Sequence, residues 1–85
     1  MAQVIISPVA QRQLADEVPR GMQRRILRIL ERMQNWPRVS GAKPLRGKLS
    51  GSFRCRTGDY RVQFTVVGEV VTVEKIGHRD GFYDD

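Results

Sequence analysis

The first half of the chain shows a short apolar run followed by helical spacing. Residues 4–6 are β-branched and long enough for one strand. Ser7 and Pro8 come next, and this pair is typical of a helix N-cap followed by proline in the first helical turn. The pattern therefore predicts a first helix over residues 8–17.

A second, longer helix is expected after Pro19 and Gly21, which interrupt the first one. Apolar side chains then recur every three or four residues and mark one buried stripe. The stripe consists of Met22, Ile26, Ile29, Leu30 and Met33. Trp36 and Pro37 end this helix, and we interpret Trp36 as a core or capping residue rather than a platform for nucleic-acid bases.

In the second half of the chain the apolar period becomes two, which predicts strands. A basic, glycine-containing loop over residues 38–52 leads to three strands at 53–57, 60–67 and 70–76. Gly58-Asp59 and Gly68-Glu69 separate them and suit two-residue hairpin turns. We therefore expect a single α+β domain over residues 1–85, in the order β-α-α-β-β-β, with a small antiparallel sheet packed against a two-helix hairpin.

A two-residue turn at Gly58-Asp59 fixes which side chains share a face of the sheet. It places Arg56 opposite Arg61 and Cys55 opposite Val62. One face is then apolar, with Phe53, Cys55, Val62, Phe64 and Val66, and the other carries Arg54, Arg56, Arg61 and Gln63. Continued alternation along the last strand places Lys75 on the apolar face, as an exception, and His78 on the arginine face.

The charge balance indicates an anionic partner. The chain has 15 Lys and Arg against 9 Asp and Glu, a net charge of +6, and all but Lys43, Lys48 and Lys75 of the cations are arginine. Arginine binds phosphate or carboxylate through two parallel hydrogen bonds, so the expected partner is an oriented anion such as a nucleic-acid backbone or an acidic peptide.

Several classes of protein are excluded by the same composition. One cysteine excludes an intramolecular disulfide framework and a multi-cysteine zinc or iron–sulfur site, one histidine excludes a His-rich metal site, and no cofactor is expected. The N-terminal residues lack the pattern of a signal peptide, and no apolar run is long enough to span a membrane. We expect a cytoplasmic protein.

The opposed Arg56 and Arg61 would repel each other in an empty sheet, which favours a bound anion at this point. The alternative is internal neutralisation by Asp59, by Glu74 or by the carboxylates of residues 80–85. The arginines of the second helix, at positions 24, 25, 28 and 32, are interpreted as a solvated face rather than an RNA contact.

The C-terminal residues add candidate chemistry. His78 adjoins the arginines on the expected register, and neighbouring cations favour the neutral imidazole that proton transfer requires; a purely structural histidine is the alternative. Arg79 follows directly. Tyr83 is either a functional residue or an aromatic that packs on the sheet.

Three stretches together resemble toxins of the RelE/ParE superfamily from type II toxin–antitoxin systems. They are residues 44–47 (Pro-Leu-Arg-Gly), residues 53–62 with their Arg-x-Gly-x-Tyr-Arg core, and Gly77-His-Arg79 with Tyr83 after it. The resemblance covers nearly the whole chain and implies the β-α-α-β-β-β fold. RelE-type members cleave messenger RNA in the ribosomal A site by attack of a ribose 2′-OH on the adjacent phosphate.

The resemblance also implies roles for individual residues. Arg61 matches the arginine that stabilises the phosphate, Arg79 the tail arginine, and Tyr83 the C-terminal tyrosine. His78 is added as a candidate for proton transfer. The expected RNA or phosphate contacts are Lys43, Arg46, Lys48, Arg54 and Arg56. Ser52 and Arg54 stand where well-studied members have lysines, and because arginine stays protonated, the general base is not assigned.

The implied partners are a cognate antitoxin, the ribosome and messenger RNA, with operator DNA bound only through the antitoxin complex. Two other functions remain open. A ParE-type toxin would inhibit DNA gyrase without cleaving nucleic acid, and a simple RNA-binding module would explain the charge but not the concentrated cluster.

Overall fold

A computed structural model describes residues 1–83 as two helices and a five-stranded sheet. The strands are β1 (Gln3–Ile6), β2 (Lys43–Pro44), β3 (Ser52–Thr57), β4 (Tyr60–Val67) and β5 (Val70–His78). The helices are α1 (Pro8–Asp16) and α2 (Arg20–Arg32). This confirms the α+β class and the element order, to which the structure adds the short strand β2 within the basic loop.

The start of α1 is built as its sequence predicts. The Ser7 hydroxyl accepts a hydrogen bond from the backbone N–H of Ala10 at 3.1 Å, and Pro8 lies in the first turn. The Gln23 side-chain amide of α2 donates to the carbonyl oxygens of Leu14 at 3.0 Å and Val18 at 3.1 Å. These bonds satisfy carbonyls at the end of α1 and fix the turn before α2.

The sheet has the order β1-β5-β4-β3-β2. Strands β3, β4 and β5 form the expected antiparallel meander, whereas β1 pairs with β5 in parallel, so the sheet is mixed. The predicted hairpin register is confirmed: Arg56 lies opposite Arg61 and Cys55 opposite Val62. Gly58 has φ +57°, which is the left-handed conformation that the first position of such a hairpin turn requires.

A β-bulge in β5 corrects the prediction for the end of the sheet. Phe64 pairs with Val73 and Gln63 pairs with Lys75, so Glu74 is an extra residue in β5. The bulge reverses the alternation beyond it. Lys75 therefore lies on the arginine face and not on the apolar face, and His78, which pairs with Tyr60, lies on the opposite face from the arginines.

The core lies between the helices and one face of the sheet. Ile26, Ile29 and Leu30 of α2 pack with Ala10 of α1 against buried strand residues. Those strand residues are Cys55, Val62, Phe64, Val71, Val73 and Ile76. At one edge the Trp36 ring meets the rings of Phe53 and Phe64 with centroids 4.8 and 5.6 Å apart, so Trp36 is a core residue, as expected. Neither α1 nor α2 packs on the other face of the sheet, which is helix-free in that sense. The 3₁₀ turn Gly47–Leu49 brings Leu49 to that face, beside Gln63 and Lys75.

Candidate nucleic-acid interface

Cations from four strands share the helix-free face of the sheet. The pairing places Lys43 opposite Arg54, Arg56 opposite Arg61, and Lys75 opposite Gln63. Side chains at paired positions project from the same face. We call Lys43, Arg54, Arg56, Arg61 and Lys75 the cationic face.

The guanidinium of Arg61 is anchored at one end of this face. Its Nη1 donates to the carbonyl oxygens of Gly58 at 3.2 Å and Tyr60 at 3.3 Å. Both bonds use one nitrogen, so Nε and Nη2 keep their donors for an anion. The carbonyl oxygens of the hairpin turn thus orient the Arg61 guanidinium.

Internal carboxylates do not neutralise the arginines of the cationic face within residues 1–83. Asp59 and Asp80 form ion pairs with His78 and Arg79 instead. Two further acidic residues of the expected neutralising set, at positions 84 and 85, lie outside the described residues. Among the described carboxylates, none pairs with Arg54, Arg56 or Arg61, and this favours the anion-site interpretation over internal neutralisation.

His78 lies on the opposite face of the sheet from Arg54, Arg56 and Arg61, which corrects the expectation that it shares their face. Its ring stands edge-on to Tyr60 with centroids 5.3 Å apart. Nδ1 accepts the backbone N–H of Asp80 at 3.1 Å, and Nε2 lies 4.0 Å from the nearer Asp59 oxygen. Carboxylates therefore surround His78, and its observed contacts are those of a residue that fixes the end of β5 against the β3–β4 turn.

Arg79 lies at the same tip of the molecule. Its backbone N–H donates to the carbonyl oxygen of Asp59 at 2.6 Å. Its side-chain Nε is 3.7 Å from an Asp59 carboxylate oxygen and 3.6 Å from one of Asp80. The side chain is 58% exposed, and ion pairs this exposed contribute little, about 0–1 kcal/mol. Arg79 can therefore exchange a carboxylate for a phosphate at small cost.

Tyr83 lines a cleft of about 190 Å³ on the cationic face, together with Leu49, Gln63, Lys75 and Phe82. The Tyr83 side chain is 46% exposed, and its ring meets Phe82 edge-on with centroids 4.9 Å apart. The tail thus returns to the sheet and brings its tyrosine beside Gln63 and Lys75. Of the cationic face, Lys75 lines this cleft with Tyr83, and neither the strand arginines nor His78 are part of its lining.

The sequence pattern does not identify two residues of this cleft, Lys75 and Phe82. Strict alternation through the bulge places Lys75 on the apolar face, and periodicity assigns Phe82 no position. The signal for the first is the spacing Val71, Val73, Ile76, where one interval of three breaks the period of two. The signal for the second is a large apolar residue in an otherwise polar tail.

The remaining basic candidates are not on the paired strands. Arg46 and Lys48 are exposed in the loop between β2 and β3. The α2 arginines are exposed as expected, and Arg25, Arg28 and Arg32 line an open groove of about 460 Å³ with Glu31 and Thr57. This groove belongs to the helix-bearing side of the sheet, so it is distinct from the cationic face.

Cys55 is part of the core and not of the interface. It is 4% exposed, and burial raises the pKa of its thiol, although Arg32 and Arg54 act in the opposite direction. A buried, protonated thiol is a weak nucleophile.

Within residues 1–83 neither helix has the length and apolar character needed to cross a bilayer.

Comparison with solved structures shows the same fold in toxins and toxin–antitoxin complexes. The RelB–RelE antitoxin–toxin complex from Methanococcus jannaschii matches with 25% identity and a TM-score of 0.78, over 94% of this chain and 95% of that chain. The RelBE2 complex from Mycobacterium tuberculosis matches with 24% identity and a TM-score of 0.78, over 92% and 98%. The isolated RelE toxin of E. coli matches with 20% identity and a TM-score of 0.75, over 92% and 84%.

Comparison of sequences identifies the family. No curated protein matches the chain significantly. A family model described as the ParE toxin of type II toxin–antitoxin systems, parDE, matches residues 4–81, from the second residue of β1 to the turn after β5. The chain therefore belongs to the family of ParE toxins of type II toxin–antitoxin systems, within the RelE/ParE superfamily.

Proposed function

We propose that this toxin is a metal-independent, ribosome-dependent endoribonuclease that cleaves messenger RNA in the A site and so inhibits translation. The observation that carries the proposal is the opposition of Arg56 and Arg61 on the helix-free face, with no described carboxylate paired to either. Like charges opposed across two strands destabilise an empty sheet. An RNA phosphate between them turns this repulsion into binding energy.

The cationic face suits the reaction in which RNA is cleaved by its own ribose 2′-hydroxyl. The ribose 2′-oxygen attacks phosphorus, the bond to the 5′-oxygen breaks, and the products are a 2′,3′-cyclic phosphate and a free 5′-hydroxyl. Negative charge grows on the non-bridging oxygens as the fifth bond to phosphorus forms. Guanidinium groups fixed before the reaction stabilise that charge, and removal of one such donor typically costs about 10²–10³ in rate. Arg61, already oriented by Gly58 and Tyr60, suits this role.

Proton transfer is assigned to Tyr83 rather than His78. The 2′-hydroxyl must lose a proton and the leaving oxygen must gain one, a contribution of roughly 10²–10⁴ in rate. His78 projects from the other face and contacts Asp59 and Asp80. Tyr83 lines the cleft on the cationic face, and its phenol both donates and accepts hydrogen bonds.

Arg54, Arg56, Lys43, Arg46 and Lys48 are proposed to bind the RNA backbone on either side of the scissile phosphate. Contacts of this kind position a nucleic acid without reading its sequence. Arg79 is proposed to leave Asp59 and Asp80 and to stabilise charge on the phosphate or the leaving group. Its exposed ion pairs make that exchange inexpensive.

The proposed partners are messenger RNA on the ribosome and a cognate antitoxin. Several solved structures of the same fold are toxin–antitoxin complexes, which supports the second partner. A net charge of +6 favours an antitoxin with an acidic segment. Operator DNA would be bound through the antitoxin, and the toxin is proposed to act in the cytoplasm.

A second function is inhibition of DNA gyrase without RNA cleavage. It is favoured by the family model, which is that of the ParE toxin. On this alternative the cationic face would bind a protein or DNA surface, and Tyr83 would have no chemical role.

One experiment separates the two functions. The toxin is induced in cells with and without an inhibitor of translation initiation, transcript 5′ ends are mapped, and DNA replication is followed in parallel. New 5′ ends on translated messages alone support the nuclease. Intact messages with stalled replication would contradict it and favour gyrase inhibition. Arg61→Gln is the matched variant, and we expect it to remove the new ends.

A further inference from the structure

The C-terminal segment folds back onto the cationic face through Phe82. Phe82 is 3% exposed, although Gly81 and Tyr83 on either side of it are exposed. Its backbone N–H donates to the carbonyl oxygen of Arg79 at 3.3 Å, which closes a turn. Burial of the Phe82 ring therefore anchors residues 79–83 to the sheet.

The ring of Phe82 fits against Gly77. A β-carbon added at Gly77 would lie 3.3 Å from Cδ1 of Phe82 and 3.6 Å from Cε1. The first distance is closer than ordinary van der Waals contact, so a β-carbon at position 77 requires the Phe82 ring to shift by a few tenths of an ångström. Gly77 pairs with Arg61, and the ring is therefore seated beside the cationic face.

Lys75 contacts Phe82 twice. Its ammonium donates a hydrogen bond to the Phe82 carbonyl oxygen and lies 4.7 Å from the centroid of the Phe82 ring. The first contact holds the backbone, and the second adds a cation–π attraction to the side chain. Both depend on the bulge at Glu74, because the bulge places Lys75 on this face.

We propose that Lys75 is a positioning residue, which acts through Phe82 to hold Tyr83 in the cleft beside Gln63. Tyr83 follows Phe82 directly, so the Phe82 carbonyl that Lys75 binds belongs to the peptide bond between the two residues. Fixing that peptide fixes the origin of the Tyr83 side chain. The catalytic consequence rests on the proposed nuclease function; the order of the tail does not.

The test compares three variants with a matched control. Lys75→Met removes the ammonium and keeps the apolar stem, Lys75→Arg keeps a cation, and Gly77→Ala displaces Phe82 by a route that leaves Lys75 intact. Lys43→Met removes another ammonium from the same face. Amide hydrogen exchange of the C-terminal peptide is measured on each purified toxin, together with single-turnover cleavage of messenger RNA on programmed ribosomes.

We expect Lys75→Met and Gly77→Ala to speed exchange in residues 79–83, whereas Lys43→Met leaves that exchange as in the wild type. A misplaced catalytic group commonly costs about 10²-fold, so the cleavage rate of Lys75→Met should fall by that order while the half-saturating toxin concentration stays close to wild type. Lys75→Arg should keep amide exchange in residues 79–83 and the cleavage rate closer to those of the wild type.

A double-mutant cycle with Tyr83→Phe shows whether Lys75 acts through Tyr83. If it does, Lys75→Met slows the Tyr83→Phe toxin little further. The proposal would be overturned if the fold-losses in cleavage rate of the two single variants multiplied in the double variant. It would also be overturned if Lys75→Met left amide exchange in residues 79–83 unchanged. A wild-type toxin that cleaves no message would instead overturn the nuclease function, and tail exchange would still decide whether Lys75 orders the tail.

Discussion

Arg56 of β3 lies directly opposite Arg61 of β4, and both project from the face of the sheet that neither α1 nor α2 covers. The pair follows from one turn. Gly58 at φ +57° closes a two-residue hairpin, and the register of that hairpin sets the two guanidinium groups side by side. The local sequence thus produces both a fold element and a concentrated positive charge.

The pair should cost stability in the absence of a ligand. We expect Arg56→Gln to raise the free energy of unfolding by roughly 0.2–1 kcal/mol, since it removes a cross-strand like-charge contact. Urea denaturation at low salt measures this, with Arg38→Gln, an exposed loop arginine, as the control. The gain should shrink at about 1 M salt, where the Debye length is ~3 Å. A lower free energy of unfolding in Arg56→Gln would contradict this, because it would show that Arg56 makes stabilising contacts within the ligand-free protein.

Binding of single-stranded RNA should depend on salt through the same side chains. For single strands, each phosphate neutralised adds about 0.7 to the slope of log affinity against log salt. Arg54→Gln and Arg56→Gln should each reduce the slope by about that amount. Fluorescence anisotropy with a 2′-O-methyl oligonucleotide, which cannot be cleaved, gives the slopes. An unchanged slope would place the RNA backbone elsewhere, and the α2 groove at Arg25, Arg28 and Arg32 would be the next surface to test.

The bulge at Glu74 gives a matched pair of deletions. Removal of either Glu74 or Lys75 should leave β5 in regular register with β4, since Val73 already pairs with Phe64 and the next position with Gln63. The two proteins then differ in whether Lys or Glu stands opposite Gln63. Both should fold, as circular dichroism and thermal unfolding would show. Only the Glu74 deletion should keep slow amide exchange in residues 79–83, because it keeps the contacts of Lys75 with Phe82. Equal exchange in the two proteins would contradict a positioning role for this lysine.

The same bulge marks the limit of inference from the sequence. Helix caps, the α2 stripe and the β3–β4 register follow from local rules that a few residues determine, and Ser7, Gly58 and the Arg56–Arg61 pair lie where those rules place them. Strict alternation fails at Glu74 because one extra residue reverses every face beyond it.

Long-range placement of the tail could not be predicted for a different reason. Phe82 packs on Gly77 and Lys75 through contacts that no periodicity encodes, and His78 turns to Asp59 and Asp80 because the strand ends there. The parallel pairing of β1 with β5 likewise depends on contacts between segments that are distant in sequence.

Burial of Cys55 predicts a specific pH dependence. The folded thiol has a pKa above its ordinary value of 9.0, because burial disfavours the thiolate. The folded state therefore holds this proton more tightly than the unfolded state. The stabilisation is fully present below the unfolded pKa and is lost as pH rises through the folded pKa.

We expect the free energy of unfolding to fall above about pH 9 more steeply in the wild type than in Cys55→Ala, as measured by the fluorescence of Trp36, the sole tryptophan. Native protein should also react slowly with a thiol reagent at pH 8 and rapidly once unfolded. Fast labelling of the native protein would show that Cys55 is accessible and would remove the basis of this prediction.

The most direct test of the central claim is the chemistry of the ends produced on the ribosome. Purified toxin is added to ribosomes programmed with a defined message, and the rate and product termini are measured for the wild type and for the Arg56→Gln/Arg61→Gln double variant. A 2′,3′-cyclic phosphate and a 5′-hydroxyl are expected from the wild type. The double variant should be slower by at least ~10²-fold, since it lacks the fixed guanidinium groups. Uncut message with the wild-type toxin, together with loss of gyrase supercoiling under the same conditions, would contradict the claim that this toxin is an endoribonuclease.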